Sequence, residues 1–86
     1  MDMSTVSEIK SKASRVTEIK GDINSESSRC YWQVNDSSSW WQGDAGKAFR
    51  AGYRELHTEI KSLTSKMTSL SSRLGRLSTQ VQRADD

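Results

Sequence analysis

The stretch FRAGYRELHTEIKSLTSKMTSLSSRLGRLSTQV, residues 49–81, decides the fold. Apolar side chains recur in it at alternating steps of four and three residues, so every a and d position of a heptad repeat is apolar. At ~1.5 Å per residue such a helix is roughly 60 Å long and cannot bury its apolar stripe by folding on itself. We therefore predict a dimer seam that consists of Phe49, Tyr53, Leu56, Ile60, Leu63, Met67, Leu70, Leu74, Leu77 and Val81.

The first half of the chain carries a weaker heptad pattern. Lys20 and Ser27 fall on seam positions, and Cys30 on a third position is best explained as a small buried thiol. A lysine on a seam either restricts register and oligomeric state or extends its charged end to water, and the sequence leaves both readings open. The pattern predicts one helix, the less apolar of the two, with seam residues Val6, Ile9, Ala13, Val16, Ile23, Cys30 and Val34.

The segment NDSSSWWQGD, residues 35–44, separates the two periodic regions. Its Asn, Asp and Ser side chains compete for backbone hydrogen bonds, Gly43 offers a position for a positive φ, and Asp44 is a good N-cap. We predict an all-α antiparallel helical hairpin, a single domain over residues 1–86, with helices at about 5–39 and about 45–84 and a turn at 40–44. Two hairpins are expected to pack face to face as a four-helix bundle.

Composition excludes several classes of partner. The 13 Lys and Arg residues against 11 Asp and Glu give a net charge of +2, and the basic residues form no block, so no nucleic-acid partner is predicted. Apolar runs are short, which predicts no integral membrane segment. The first ten residues, MDMSTVSEIK, lack a basic region followed by an apolar core, so no Sec-type signal peptide is predicted either.

The sequence contains one histidine and one cysteine. His57 falls beside the seam of the second half, and Cys30 belongs to the first, so a Cys-His pair requires a fortuitous placement across the helices. No His or Cys cluster has metal-ligand spacing, and GDAG lacks the flanking strand of a phosphate-binding loop. The sequence predicts a non-enzymatic protein without catalytic residues, metal or cofactor.

The segment WQGDAGKAFRAGYREL, residues 41–56, resembles the W-x-G turn and following helix of the WXG-hundred family, small ESAT-six-like proteins that type VII secretion systems export. The short chain, the central motif and the heptad helix on each side agree with this resemblance. It implies a dimeric antiparallel bundle without catalytic activity, made in the bacterial cytoplasm and secreted without a cleaved signal peptide. The matching residues are Trp41, Gly43, Ala48, Phe49, Tyr53 and Leu56.

The resemblance also implies a role for the turn. In the family, the W-x-G turn of one subunit lies near the C-terminal tail of its partner, and together they form the surface that the secretion ATPase reads. Recognition is thereby assigned to Trp41 and Gly43. The competing interpretation is that the two tryptophans only cover the last core layer at the bundle end. We favour that interpretation for Trp40, with Asp44 packing in the same turn.

The tail departs from the family pattern. Many members end with Tyr-x-x-x-Asp or Tyr-x-x-x-Glu, whereas STQVQRADD contains no tyrosine. The nearest spacing pairs Val81 with Asp85, a candidate degenerate signal, although Val81 already belongs to the seam.

Three functional hypotheses follow. The first is a type VII secretion substrate that acts as a dimer, with itself or with a second helical protein of this type, and is recognised by the secretion ATPase. The second is a WXG-like companion that binds the helical region of a larger LXG-type exported toxin and helps to target it. The third is an intracellular coiled-coil adaptor unrelated to secretion.

Overall fold

The computed structural model describes residues 3–85, and the side chains of residues 3–84. Helix α1 spans Met3–Asp36, a 3-10 turn spans Ser37–Ser39, and helix α2 spans Asp44–Asp85. The helices pack against each other as an antiparallel hairpin that measures 65 × 15 × 10 Å along its principal axes. The chain is therefore an all-α hairpin of two long helices.

The serine run ends α1 earlier than the predicted residue 39. The hydroxyl of Ser37 donates a short hydrogen bond to the carbonyl oxygen of Val34, and the hydroxyl of Ser39 donates to that of Asp36 at 2.9 Å. Side-chain bonds of this kind satisfy carbonyl groups at the end of a helix and favour a tighter turn. The α-helix consequently stops at Asp36 and continues as one 3-10 turn.

The row of α2 that contacts α1 most closely is polar. Its members recur every seventh residue, and Arg50, Thr64 and Ser78 are buried with exposed fractions of 7%, 5% and 1%. Small polar side chains let two helices approach closely, provided that each polar group finds a hydrogen-bond partner. The complete row, here called the polar row, consists of Arg50, His57, Thr64, Ser71 and Ser78.

Two members of this row form hydrogen bonds to α1, whereas Thr64 and Ser78 donate to carbonyl groups of α2 itself. The Ser71 hydroxyl donates to the carbonyl oxygen of Ala13 at 3.0 Å and lies 2.9 Å from the hydroxyl of Thr17. The Ser27 hydroxyl lies 3.0 Å from Nδ1 of His57. Each such bond contributes about 0.5–1.5 kcal/mol to stability. Ser27, whose polarity looked anomalous on a seam, is buried because His57 faces it.

The apolar seam of α2 divides into two rows. The a positions Tyr53, Ile60, Met67, Leu74 and Val81 are half-buried beside α1. The d positions are less covered by α1 and stay 44% to 50% exposed. We call these five residues the leucine row: Phe49, Leu56, Leu63, Leu70 and Leu77.

Two predicted seam positions of α1, Lys20 and Cys30, differ in how far they are buried. Lys20 is half-buried on the face that carries Ala13 and Ser27. Cys30 is exposed, so the expectation of a buried thiol was wrong. The helix contact runs through Ser27 and Val34, and this places Cys30 at its edge, beside Leu56 in an open groove.

Candidate recognition turn and apolar face

The turn is closed by backbone hydrogen bonds. The amides of Trp40 and Trp41 both donate to the carbonyl oxygen of Ser37, at 3.2 and 2.8 Å. The Lys47 amide donates to the carbonyl oxygen of Gly43 at 3.1 Å. Gly43 therefore occupies the N-cap position that we expected for Asp44, which is the first residue of α2. The Asp44 carboxylate still lies at the positive end of the helix dipole.

The Trp41 side chain is half-buried and packs inside the hairpin. Its ring centroid lies 5.4 Å from that of Phe49 and 6.1 Å from that of Trp40, which stacks on it with an angle of 13° between the planes. Trp41 thus joins the turn to the first residue of the leucine row. The two tryptophans thus extend the leucine row at its Phe49 end.

The glycine that packing requires is Gly46. A Cβ atom built there lies 2.5 Å from the carbonyl oxygen of Trp41 and 2.9 Å from Cγ of its indole, both too close for a real side chain. A Cβ atom built on Gly43 meets nothing within 4 Å, and no described glycine has a positive φ. The expected positive φ at Gly43 was therefore wrong.

Sequence reasoning missed Gly46. A glycine within a helix lowers helix stability by about 1 kcal/mol relative to alanine. Its presence near the start of α2 therefore indicates that another group lies close to the backbone there. Glycine is needed at position 46 because the Trp41 indole lies against α2 there.

Arg50 fastens the turn to α2. Its Nη1 donates to the carbonyl oxygen of Trp41 at 2.8 Å and to the hydroxyl of Ser37 at 3.3 Å. Within the described residues no carboxylate pairs with this buried guanidinium. Arg50 was not singled out in the sequence, since an arginine beside a heptad seam usually belongs to the solvated face.

Trp40 does not cover a core layer of the single chain. It is 74% exposed, and the ring contact that holds it is the stack on Trp41. The two tryptophans therefore differ: Trp41 is partly enclosed by Gly46 and Phe49, whereas Trp40 presents most of its ring to solvent.

A groove runs beside the leucine row, between α2 and the edge of α1. It has a volume of about 450 Å³, and its apolar floor includes Ile23, Tyr53, Leu56 and Ile60. Two carboxylates of α1 border it, and Cys30 completes its wall. Half-buried apolar residues extend the same face along α1, namely Ile9, Val16 and Ile23.

Tyr53 is the titratable group that this environment perturbs. Its hydroxyl donates to the carbonyl oxygen of Ser27 at 3.4 Å. A side-chain hydrogen bond with Cys30, and then burial, raises the pKa of Tyr53. The phenol therefore stays a neutral donor at neutral pH.

The tail pair is described only in part. Val81 is a half-buried residue of α2, and Asp85 belongs to the same helix, but the Asp85 side chain lies outside the described residues. Over the described part of the chain, no group of His, Cys, Asp and Glu residues could hold a metal ion. The described helices also include none that is long and apolar enough to cross a membrane.

A family model described as WXG100, proteins of 100 residues with WXG, matches residues 3–86, including Trp41, Gln42 and Gly43. The chain belongs to the WXG100 family. WXG100 proteins are non-enzymatic secreted substrates, and membership implies a substrate of type VII secretion. They typically dimerise. No curated protein and no solved structure gives a significant match to this WXG100 chain.

Proposed function

We propose that this WXG100 chain is a type VII secretion substrate that is exported as a dimer, with the leucine row as the dimer seam. The observation that carries the proposal is the exposure of five regularly spaced apolar residues along one face. Contiguous exposed apolar surfaces of this kind mark interaction sites. A second hairpin laid face to face covers them and makes a four-helix bundle.

The free energy available from this seam is of the same order as the cost of association. Complete burial of a leucine side chain is worth about 1.5–3 kcal/mol, so the half that remains exposed is worth roughly 1 kcal/mol. For the ten side chains of a symmetric dimer the gain is on the order of 10 kcal/mol. Association itself costs about 4–15 kcal/mol, so the half-buried a positions and the apolar edge of α1 contribute the rest.

Within the exported dimer, we assign recognition by the secretion ATPase to Trp41 and Gly43. Gly43 is a suitable N-cap residue for α2, but packing does not require glycine there, because its φ is not positive and a Cβ atom would meet nothing within 4 Å. The exposed backbone at this glycine leaves room for close approach of another molecule. Trp41 leaves part of its indole exposed beside it.

The two glycines provide a matched test of this assignment. Gly43→Ala is expected to lower the free energy of unfolding by less than about 1 kcal/mol, because glycine is the better N-cap residue, and to keep dimerisation while reducing export from a bacterial host that carries a type VII secretion system. Gly46→Ala forces the Trp41 indole off α2 and should lower the free energy of unfolding by about 1–3 kcal/mol, as overpacking does. Trp41→Ala should reduce export while most of the helicity and the dimer remain.

Each outcome separates recognition from packing. Normal export of Gly43→Ala contradicts the assignment of Gly43. A steep fall in melting temperature together with export in Trp41→Ala makes Trp41 a packing residue. Secretion is measured with an N-terminal epitope so that the tail stays unmodified.

A second candidate is export with a companion, either another WXG100 chain or an LXG-type toxin. The missing tail tyrosine favours this candidate, because a companion could supply the tail signal. The half-buried Lys20 on α1 also favours it, because a lysine on a seam pairs best with a partner that places a complementary polar group opposite. The homodimer and the heterodimer are distinguished by the mass of the purified chain in solution. The mass is measured for the chain alone and after co-expression with small helical proteins that are encoded by neighbouring genes. Family membership favours both candidates over the adaptor hypothesis.

A further inference from the structure

A second groove lies on the other side of the helix contact from the leucine row. It shares Ser27 and Ile60 with the groove beside Leu56, but its remaining lining residues are different. The volume is about 320 Å³, and we call it the Trp32 groove. It is lined by Asn24, Ser27, Ser28, Tyr31, Trp32, His57, Ile60 and Lys61.

An exposed tryptophan dominates this groove. The Trp32 side chain is 71% exposed, on a face that the proposed dimer leaves uncovered. A second cleft of about 410 Å³ shares Trp32 as a wall and is otherwise lined by amide, hydroxyl and carboxylate side chains. The indole is thus a ridge between two open clefts.

The ridge is supported by ring contacts. Tyr31 meets Trp32 edge to face at 6.2 Å between centroids and lies 4.6 Å from the imidazole of His57. Nδ1 of His57 is in turn held 3.0 Å from the hydroxyl of Ser27. A tryptophan fixed by neighbouring rings loses little conformational entropy on binding, and tryptophan and tyrosine dominate the energetic centres of protein interfaces.

The charge of the groove indicates the kind of partner. Lys61 lines it, while none of its lining residues is an Asp or Glu, and the side chains of Asn24 and Ser28 add hydrogen-bond donors. The groove on the leucine side differs in this respect, since Asp22 and Glu26 border it. Complementary charge favours the binding of an oppositely charged segment, and like charge disfavours the binding of other segments.

We propose that the Trp32 groove binds an acidic segment of a partner protein, with an apolar side chain of that segment against the Trp32 indole and a carboxylate at Lys61. The occupant is a different protein from this chain. Because this surface lies away from the leucine row, the dimer can carry such a partner on each protomer without losing its seam.

The probe is a pool of hexapeptides with Asp or Glu at four positions and Leu or Phe at the two central ones. The control pool has Asn or Gln in place of the acids. Binding to the full chain is followed by the NMR signals of the indole N–H groups. The acidic pool should shift the Trp32 signal and leave Trp40, which is equally exposed, unshifted.

Variants locate the site. Trp32→Ala should weaken binding about thirtyfold, as expected for a central interface tryptophan, and Lys61→Glu at least about fivefold. Trp40→Ala is the matched control and should leave binding unchanged. Circular dichroism of every variant checks that the hairpin is intact, which is expected because the substituted side chains are exposed.

Several results overturn the proposal. Absence of binding at about 1 mM of the acidic pool, equal binding of the neutral pool, or equal shifts of Trp32 and Trp40 each contradict it. A smaller mass in solution for Trp32→Ala shows that a second copy covers the groove, which contradicts the assignment to a different protein. None of these results depends on export or on the leucine row.

Discussion

Replacement of Leu63 by lysine tests the seam at its centre. Leu63 is the middle residue of the leucine row, is 50% exposed, and its neighbours in the row lie one heptad away on each side. In a single hairpin the lysine stem can keep much of the apolar contact while its ammonium group extends to water. We therefore expect the helicity and the intramolecular packing to change by less than about 1 kcal/mol.

The cost falls on the dimer. Two leucine side chains lose roughly 1 kcal/mol each of further burial, and two ammonium groups then face an apolar seam, where an unpaired ion costs several kcal/mol. Even if both lysines reach water at the rim, the loss of about 2 kcal/mol of leucine burial raises the dissociation constant about thirtyfold. Leu63→Lys should thus be a folded monomer at concentrations where the unaltered chain is a dimer.

The assay is sedimentation velocity over a range of concentrations, with circular dichroism as the check of helicity. Ser62→Lys is the matched control, because it adds the same charge to the adjacent exposed position outside the row. It should leave the dissociation constant nearly unchanged. A Leu63→Lys chain that dimerises as tightly as the Ser62→Lys chain refutes the assignment of the leucine row as the seam.

Three further predictions concern other parts of the hairpin. Arg50→Met removes both hydrogen bonds of the guanidinium and should lower the free energy of unfolding in urea by about 1.5–3 kcal/mol; an unchanged midpoint means that the turn does not need this link. Because the pKa of Tyr53 is raised in the folded state, its contribution to stability is fully present below the ordinary tyrosine pKa near 10. The free energy of unfolding should therefore fall as the pH rises through the folded pKa of Tyr53. Tyr53→Phe should lack this pH-dependent decrease. If the second candidate is correct, export requires a co-expressed companion; secretion in a strain without one, abolished by Val81→Ala or Asp85→Ala, contradicts that candidate and supports the degenerate tail signal.

The sequence by itself determined the helices and the family. Helix formation depends on local propensity and on the period of apolar residues, and both are strong between Phe49 and Val81. The break between the helices is also local, because the serine side chains compete with the helix for its carbonyl groups. The W-x-G segment identified the family because a tripeptide becomes specific when a heptad helix lies on each side of it.

The tertiary structure decided which half of the seam lies inside. The a and d positions of a regular heptad look alike in sequence, and only the direction from which α1 approaches makes Tyr53 half-buried and leaves Leu56 exposed. The same approach buries the polar row and moves Cys30 to an edge. The need for Gly46 likewise depends on the Trp41 indole lying against α2, a contact between residues whose distance in space no periodicity predicts.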